Sequence, residues 1–223
     1  MPSKGSSQKP RSQKSVKQQK QDQRRAVSRP KVPSNWPSEI LYIYRPKLSK
    51  SLPAPSISQL GLSPTLPTSI SRPSPLVKIK KIDAPTHPAN GQFGLFAASN
   101  LPAKSFILDY LGYVHDSTDT NEKSDYDLCL DRELGVGVDA QNAGNEARMV
   151  NDYRGVPGFE RPNVVFETRR VGDSENGELR MALWVGSKDI KKGVELCHWD
   201  LIIHILWSTG YIVSIAITDP LLN

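Results

Sequence analysis

Tyr110, Tyr126, Arg148, Asn151 and Asp152 are side chains of kinds that can handle a polar ligand, and residue type alone does not set them apart from the chain's other tyrosines, arginines, asparagines and aspartates. Phenols and amides orient donors and acceptors, a guanidinium donates in a fixed plane, and a carboxylate accepts. Ahead of them, Asn90-Gly91-Gln92-Phe93-Gly94-Leu95 carries two glycines. The missing Cβ of a glycine lets backbone approach a ligand closely. Taken singly, each feature has a plainer reading: the glycines make an ordinary hairpin, and Tyr110 is a core tyrosine with a satisfied hydroxyl. Other chemistries are poorly served. His87, His115, His198 and His204 show no metal-ligand spacing with Cys129 and Cys197, so no metal is expected. Two cysteines make neither a disulfide framework nor a zinc cluster and read as reduced, packed thiols. Nothing beyond residue type supports Cys129 as a nucleophile.

The elements that must position these residues are short strands. Residues 77–82 alternate at their start, and residues 91–98 form a glycine turn leading into an apolar strand. Residues 105–114 predict a stronger strand broken at Gly112. Residues 126–130 and 135–138 read as a hairpin pair, and residues 144–150 start a helical turn. Residues 163–170 and 179–185 are further strands, joined by a turn rich in Gly, Asp, Ser and Asn over 172–177. Many short strands with little helix predict a mainly β domain of small sheets over residues 76–200.

The 223-residue chain carries a net charge of +6, unevenly placed. Ten of its 29 Lys/Arg fall in residues 1–31, opposed only by Asp22, which leaves 19 basic against 22 acidic residues elsewhere. Residues 1–35 are too polar to offset the entropy of ordering and are expected to be disordered. Twelve of the 18 prolines precede Leu76, which extends this expectation to a basic and Pro/Ser-rich region over 1–75. The island at residues 36–44, Trp-Pro-Ser-Glu-Ile-Leu-Tyr-Ile-Tyr, reads either as a docking segment or edge strand, or as a sticky stretch of linker. No apolar signal-peptide core lies in the first thirty residues. Residues 201–217 are apolar but interrupted by His204, Ser208, Thr209 and Gly210, at the lower edge of bilayer-spanning length, so no membrane span is expected.

Read as one ordered series, the motifs resemble a known family. Val138-Asp139-Ala140 followed by Gly144-Asn145-Glu146-Ala147-Arg148-Met149-Val150-Asn151 resembles the Ile-Asp-Ala…Gly-Asn-x-Ala-Arg…Asn-His run of SET-domain protein lysine methyltransferases. Tyr110-Leu111-Gly112-Tyr113-Val114 is similar to the family's Tyr-x-Gly-Glu-Val strand. Asp125-Tyr126-Asp127-Leu128 is similar to its Asp-x-Tyr strand, and Ile190-Lys191-Lys192-Gly193-Val194-Glu195-Leu196 to its Ile-x-x-Gly-Glu-Glu-Leu turn. The resemblance implies S-adenosylmethionine (SAM) as cofactor, held by Phe93, Gly94, Leu95, Tyr126, Arg148, Asn151 and Asp152, with Tyr110 as the catalytic phenol that orients a substrate amine. It implies a protein substrate with a target lysine, in a histone tail or another protein, and a nuclear location. The basic residues 1–35 would add non-specific attraction to nucleic acid.

Three departures stand out. Asp152 replaces the family's histidine and Tyr113 its strand glutamate. The family's C-terminal tyrosine falls at Asp200, and residues 201–223 form a hydrophobic tail with no family motif. Two explanations stay open: a truncated or misjoined gene model diverging after about Cys197, or a catalytically degenerate SET-like interaction module that, with or without SAM bound, transfers no methyl group.

Overall fold

A computed structural model describes residues 32–62, 73–172 and 177–199. The expectations placed on residues 1–31, on Asp200 and on the apolar segment 201–217 lie outside the described residues. Among those described, no helix is long and apolar enough to cross a membrane.

The described chain is mostly short strands. In order they are β1 (Leu41–Tyr42), β2 (Lys47–Leu48), β3 (Val77–Lys81), β4 (Phe93–Ala97), β5 (Phe106–Asp109), β6 (Tyr113–Asp116), β7 (Asp127–Asp131), β8 (Val136–Asp139), β9 (Ala143–Gly144), β10 (Asn151–Asp152), β11 (Val164–Val171), β12 (Glu178–Val185) and β13 (Cys197–His198). One short helix, Ala54–Gln59, interrupts them, with 3₁₀ turns at Ser117–Asp119 and Glu146–Met149.

The strands sort into small sheets. β2-β6-β8-β7 form one sheet and β11-β12-β5 another, while β3 pairs antiparallel with β4. The β7–β8 hairpin turns through Gly135 at φ 61, a left-handed conformation that costs glycine little. Gly112 has a different reason. A Cβ there would meet the Asp139 backbone, so only glycine lets the chain pass from β5 into β6 beside β8. Two parallel pairs tie distant parts together: β1 lies on β9, and β10 lies on β13.

The structure corrects the reading of residues 32–62 and 73–75 as disordered linker. Residues 36–44 do add a strand, pairing Leu41 and Tyr42 with Ala143 and Gly144. Beyond this island, Leu52, Leu60 and Leu62 are buried in the main core with Val77, Ile79 and Leu95, and within it Ile43 packs with Leu111 and Ala143. Polar contacts fix the same segment. The Tyr42 hydroxyl donates to Glu146 Oε2 at 2.8 Å, and the Leu179 amide donates to the Leu60 carbonyl at 2.8 Å. Proline and serine keep these residues from long strands, but isolated leucines still gain about 1.5–3 kcal/mol each on burial.

A buried ion network stiffens β5 and β12. Arg180, with a side chain 1% exposed, donates to Glu178 Oε1 at 2.9 Å and to Asp109 Oδ2 at 2.8 Å. Arg169 reaches Asp109 Oδ1 at 2.6 Å from β11. Asp109 immediately precedes Tyr110, so this network fixes the backbone from which the phenol projects.

Candidate functional site

A cavity of about 270 Å³ opens where the loop entering β7, residues 147–152, β11 and β13 converge. Asn145, behind the lining, braces the backbone on either side of Tyr110. This fully buried side chain donates from Nδ2 to the Asp109 carbonyl at 2.7 Å and accepts the Leu111 amide at Oδ1 at 3.1 Å. It therefore locks the 3₁₀ turn Glu146–Met149 to both sides of Tyr110. Arg148 donates from Nε to the Ala140 carbonyl at 2.9 Å, and its guanidinium lies 4.0 Å from the Tyr126 ring centroid. Stacking a planar cation on an aromatic face holds both in place.

Aromatic rings form one wall. Tyr110 meets Phe166 edge-on at 5.3 Å, and Phe166 meets His198 edge-on at 5.0 Å. The Tyr110 hydroxyl donates to the Tyr126 carbonyl at 2.7 Å. Burial raises its pKa well above the ordinary phenol value, and nearby Asp139 and Asp127 add to the rise despite the opposing Arg148. Tyr110 is thus a neutral phenol whose proton is committed and whose oxygen lone pairs remain.

The C-terminal side is assembled by β10 and β13. Asn151 pairs with Cys197 and Asp152 with His198 in parallel register. Asn163 clamps β13, donating to the Glu195 carbonyl at 2.7 Å and accepting the Cys197 amide at 2.9 Å. Asn151 Nδ2 donates to Glu195 Oε1 at 2.9 Å and to the Phe93 carbonyl at 3.3 Å. The Asp152 carboxylate accepts the Arg154 amide at 2.7 Å and the Arg154 guanidinium at 2.7 Å. Burial, and then the charges of Glu195 and Asp152, push the Cys197 thiol far above the usual range, which disfavours its thiolate.

The cavity therefore brings together five residues named from sequence: Tyr110, Tyr126, Arg148, Asn151 and Asp152. Phe93 and Gly94 adjoin it through Asn151 without lining it. A Cβ on Gly94 would come within 2.7 Å of Glu195 Oε1 and 3.1 Å of Asn151 Nδ2, so glycine here admits those two side chains. Leu95 is placed elsewhere. Its side chain is fully buried in the core and its carbonyl accepts the Leu196 amide at 2.7 Å. Sequence reasoning missed Phe166 and His198. Phe166 was within reach, since the two-residue period from Val164 puts both on one face of β11. His198 carries no such signal, because the motif it follows points two residues further on, to Asp200.

His115 adds a pH dependence. Its Nδ1 lies 2.9 Å from the Asp116 carbonyl and its Nε2 lies 3.0 Å from Asp127 Oδ1, on the cavity rim. Two acceptors require two N–H donors, so the ring is an imidazolium. Burial alone would lower its pKa. The hydrogen bonds to Asp127 and the Asp116 carbonyl, with the charges of Asp127 and Asp139, outweigh this and raise it above 6.5. The stabilisation is fully present below the unfolded value and is lost as pH rises through the folded one. Thermal midpoints measured from pH 6 to 9 should fall more steeply for wild type than for His115→Gln. Parallel curves would show that the pair contributes nothing.

With this geometry in place, comparison with known proteins identifies the domain. Residues 92–199 match the SET domain family model. The chain carries a SET domain, and the match ends one residue before Asp200. No curated protein matches the chain. Among solved structures, the Chaetomium thermophilum Polycomb Repressive Complex 2 is similar at 26% identity and TM-score 0.42, over 55% of this chain and 15% of that one. An autoinhibited form of that complex bound to S-adenosylmethionine is similar at 26% identity and TM-score 0.43, over 57% and 15%. KRYPTONITE in complex with mCHH DNA, an H3(1–15) peptide and SAH is similar at 20% identity and TM-score 0.42, over 55% and 22%. The chain thus spans less than a quarter of the length of each of these proteins.

Proposed function

We propose that the chain is a SAM-dependent protein-lysine N-methyltransferase of the SET class. The observation that supports this most is the convergence of Tyr110, Tyr126, Arg148, Asn151 and Asp152 on one cavity, within a segment that matches the SET family. The lining fits such a ligand. It offers aromatic faces, the acidic groups Asp125, Asp127 and Asp152, and the amide of Asn151, a set suited to a cationic group joined to a flat ring. Asn151, Asp152, Tyr126 and Arg148 would hold the cofactor, with Phe93 and Gly94 behind Asn151.

When bound, SAM supplies a sulfonium methyl group. The chain's own residues supply placement. A lysine amine attacks only after losing its proton, which an apolar, aromatic wall such as Tyr110 and Phe166 favours. The Tyr110 oxygen accepts a hydrogen bond from that amine and aims its remaining lone pair. The placement of that amine by the chain's own residues would contribute most of the rate. The acidic rim favours a Lys/Arg-rich peptide, so histone tails are the first substrates to screen. The basic residues 1–31 favour a nuclear, chromatin-associated setting.

A second reading is favoured by one sequence fact: Asp200 stands where the family has its tyrosine. The chain is then a SET module that binds SAM and transfers nothing. Calorimetry on the full chain, beside Asn151→Ala, separates the readings. Wild type should bind SAM, and the variant should bind at least about tenfold more weakly, as expected for a lost hydrogen bond in a charged site. A folded wild-type chain that gives no binding rules out the enzyme and leaves a degenerate scaffold. Binding without methyl transfer to histone peptides leaves the second.

A further inference from the structure

We propose that His87 is a positioning residue for the ligand site, acting through Glu195 on Asn151. The proposal deepens the SAM-binding reading and rests on it. His87 lies in the loop before β4, outside the SET match that begins at residue 92. Its ring is buried, as is Glu195, with 7% exposure each.

The hydrogen bonds assign every proton in the chain of contacts. The Ala89 amide donates to His87 Nδ1 at 3.0 Å, so Nδ1 carries a lone pair. Nε2 therefore carries the proton and donates to Glu195 Oε2 at 3.0 Å. Glu195 Oε1 accepts from Asn151 Nδ2 at 2.9 Å, and the same Nδ2 reaches the Phe93 carbonyl at 3.3 Å. Both amide protons of Asn151 are spent on the protein. Its Oδ1 is the hydrogen-bonding atom left for the cavity, and it can only accept.

Charge strengthens this orientation. His87 is neutral in this arrangement, so Glu195 has no cation within salt-bridge range among the described residues. Gly94 gives the carboxylate its space, since a Cβ would sit 2.7 Å from Oε1. The site thus presents an acceptor backed by an unbalanced negative charge. Its complement is an ammonium group, such as the α-ammonium of SAM. Without His87, the Glu195 carboxylate loses one of its two side-chain donors and is free to rotate, and Asn151 can flip to present its NH₂ instead.

The test uses the full chain and calorimetry with S-adenosylhomocysteine, which keeps the α-ammonium, and with its analogue lacking the α-amino group. His87→Ala and Glu195→Gln should each weaken S-adenosylhomocysteine about tenfold and leave the deaminated analogue within about twofold. His87→Gln, whose amide nitrogen can replace Nε2–H, should restore binding to within about threefold of wild type. Unchanged affinity in His87→Ala overturns the proposal. Equal weakening of both ligands overturns it too, since that marks a general loss of structure. A folded wild-type chain that binds neither ligand refutes the SAM reading itself, and this proposal with it.

Discussion

Deleting residues 1–62 should abolish cooperative unfolding of the domain, whereas deleting residues 1–31 should preserve it. The longer deletion strips Leu52, Leu60 and Leu62 from the main core and Ile43 from its satellite. Large buried side chains cost about 2–5 kcal/mol each when removed, and a domain of this size has only about 5–15 kcal/mol to lose. The deletion also leaves buried Glu146 without the Tyr42 hydroxyl and removes the parallel partner of β9. The shorter deletion takes none of these contacts. Thermal melts followed by circular dichroism decide the matter. A sharp transition in the 63–223 piece would show that residues 32–62 are accessory.

The second large effect centres on Arg180. Replacing it with methionine keeps much of the volume but leaves Glu178 buried without its cation and Asp109 with Arg169 alone. Breaking a buried pair on one side costs about 3–5 kcal/mol, because the remaining charge is stranded. Urea denaturation should register that loss. The double change Arg180→Met with Glu178→Leu removes the stranded charge and should recover a large part of it. A single variant within about 0.5 kcal/mol of wild type, the usual range for surface changes, would mean that water reaches the network. Because Asp109 precedes Tyr110, the single variant should also weaken ligand binding at the cavity, and the double variant should regain it.

The sequence made much of the domain legible beyond residue 76. Alternation located the β7–β8 hairpin, a turn rich in Gly, Asp, Ser and Asn marked the join between β11 and β12, and Ala147, Arg148, Val150 and Asn151 of the motif run line the cavity. What stayed hidden has physical causes. Residues 45–62 look like linker because their apolar residues come singly, without a period, and find partners only in the folded core. Leu95 belongs to the same strand as Gly94, but the next residue along a strand faces the other way. His87 and Glu195 are 108 positions apart, and no local pattern joins them. Tyr110 met its plainer reading in part, since its proton is satisfied by the Tyr126 carbonyl.

The pairing of β10 with β13 has a consequence for the order in which the molecule comes into being. Asn151 and Asp152 wait for Cys197 and His198, made much later, before their side of the cavity has a wall. Every other described strand precedes β13 in the chain, so this pairing is the last that synthesis makes available. A chain still emerging from the ribosome therefore has its sheets before it has its site. Ligand binding should be the last property to appear during synthesis and the first to vanish when the molecule begins to open.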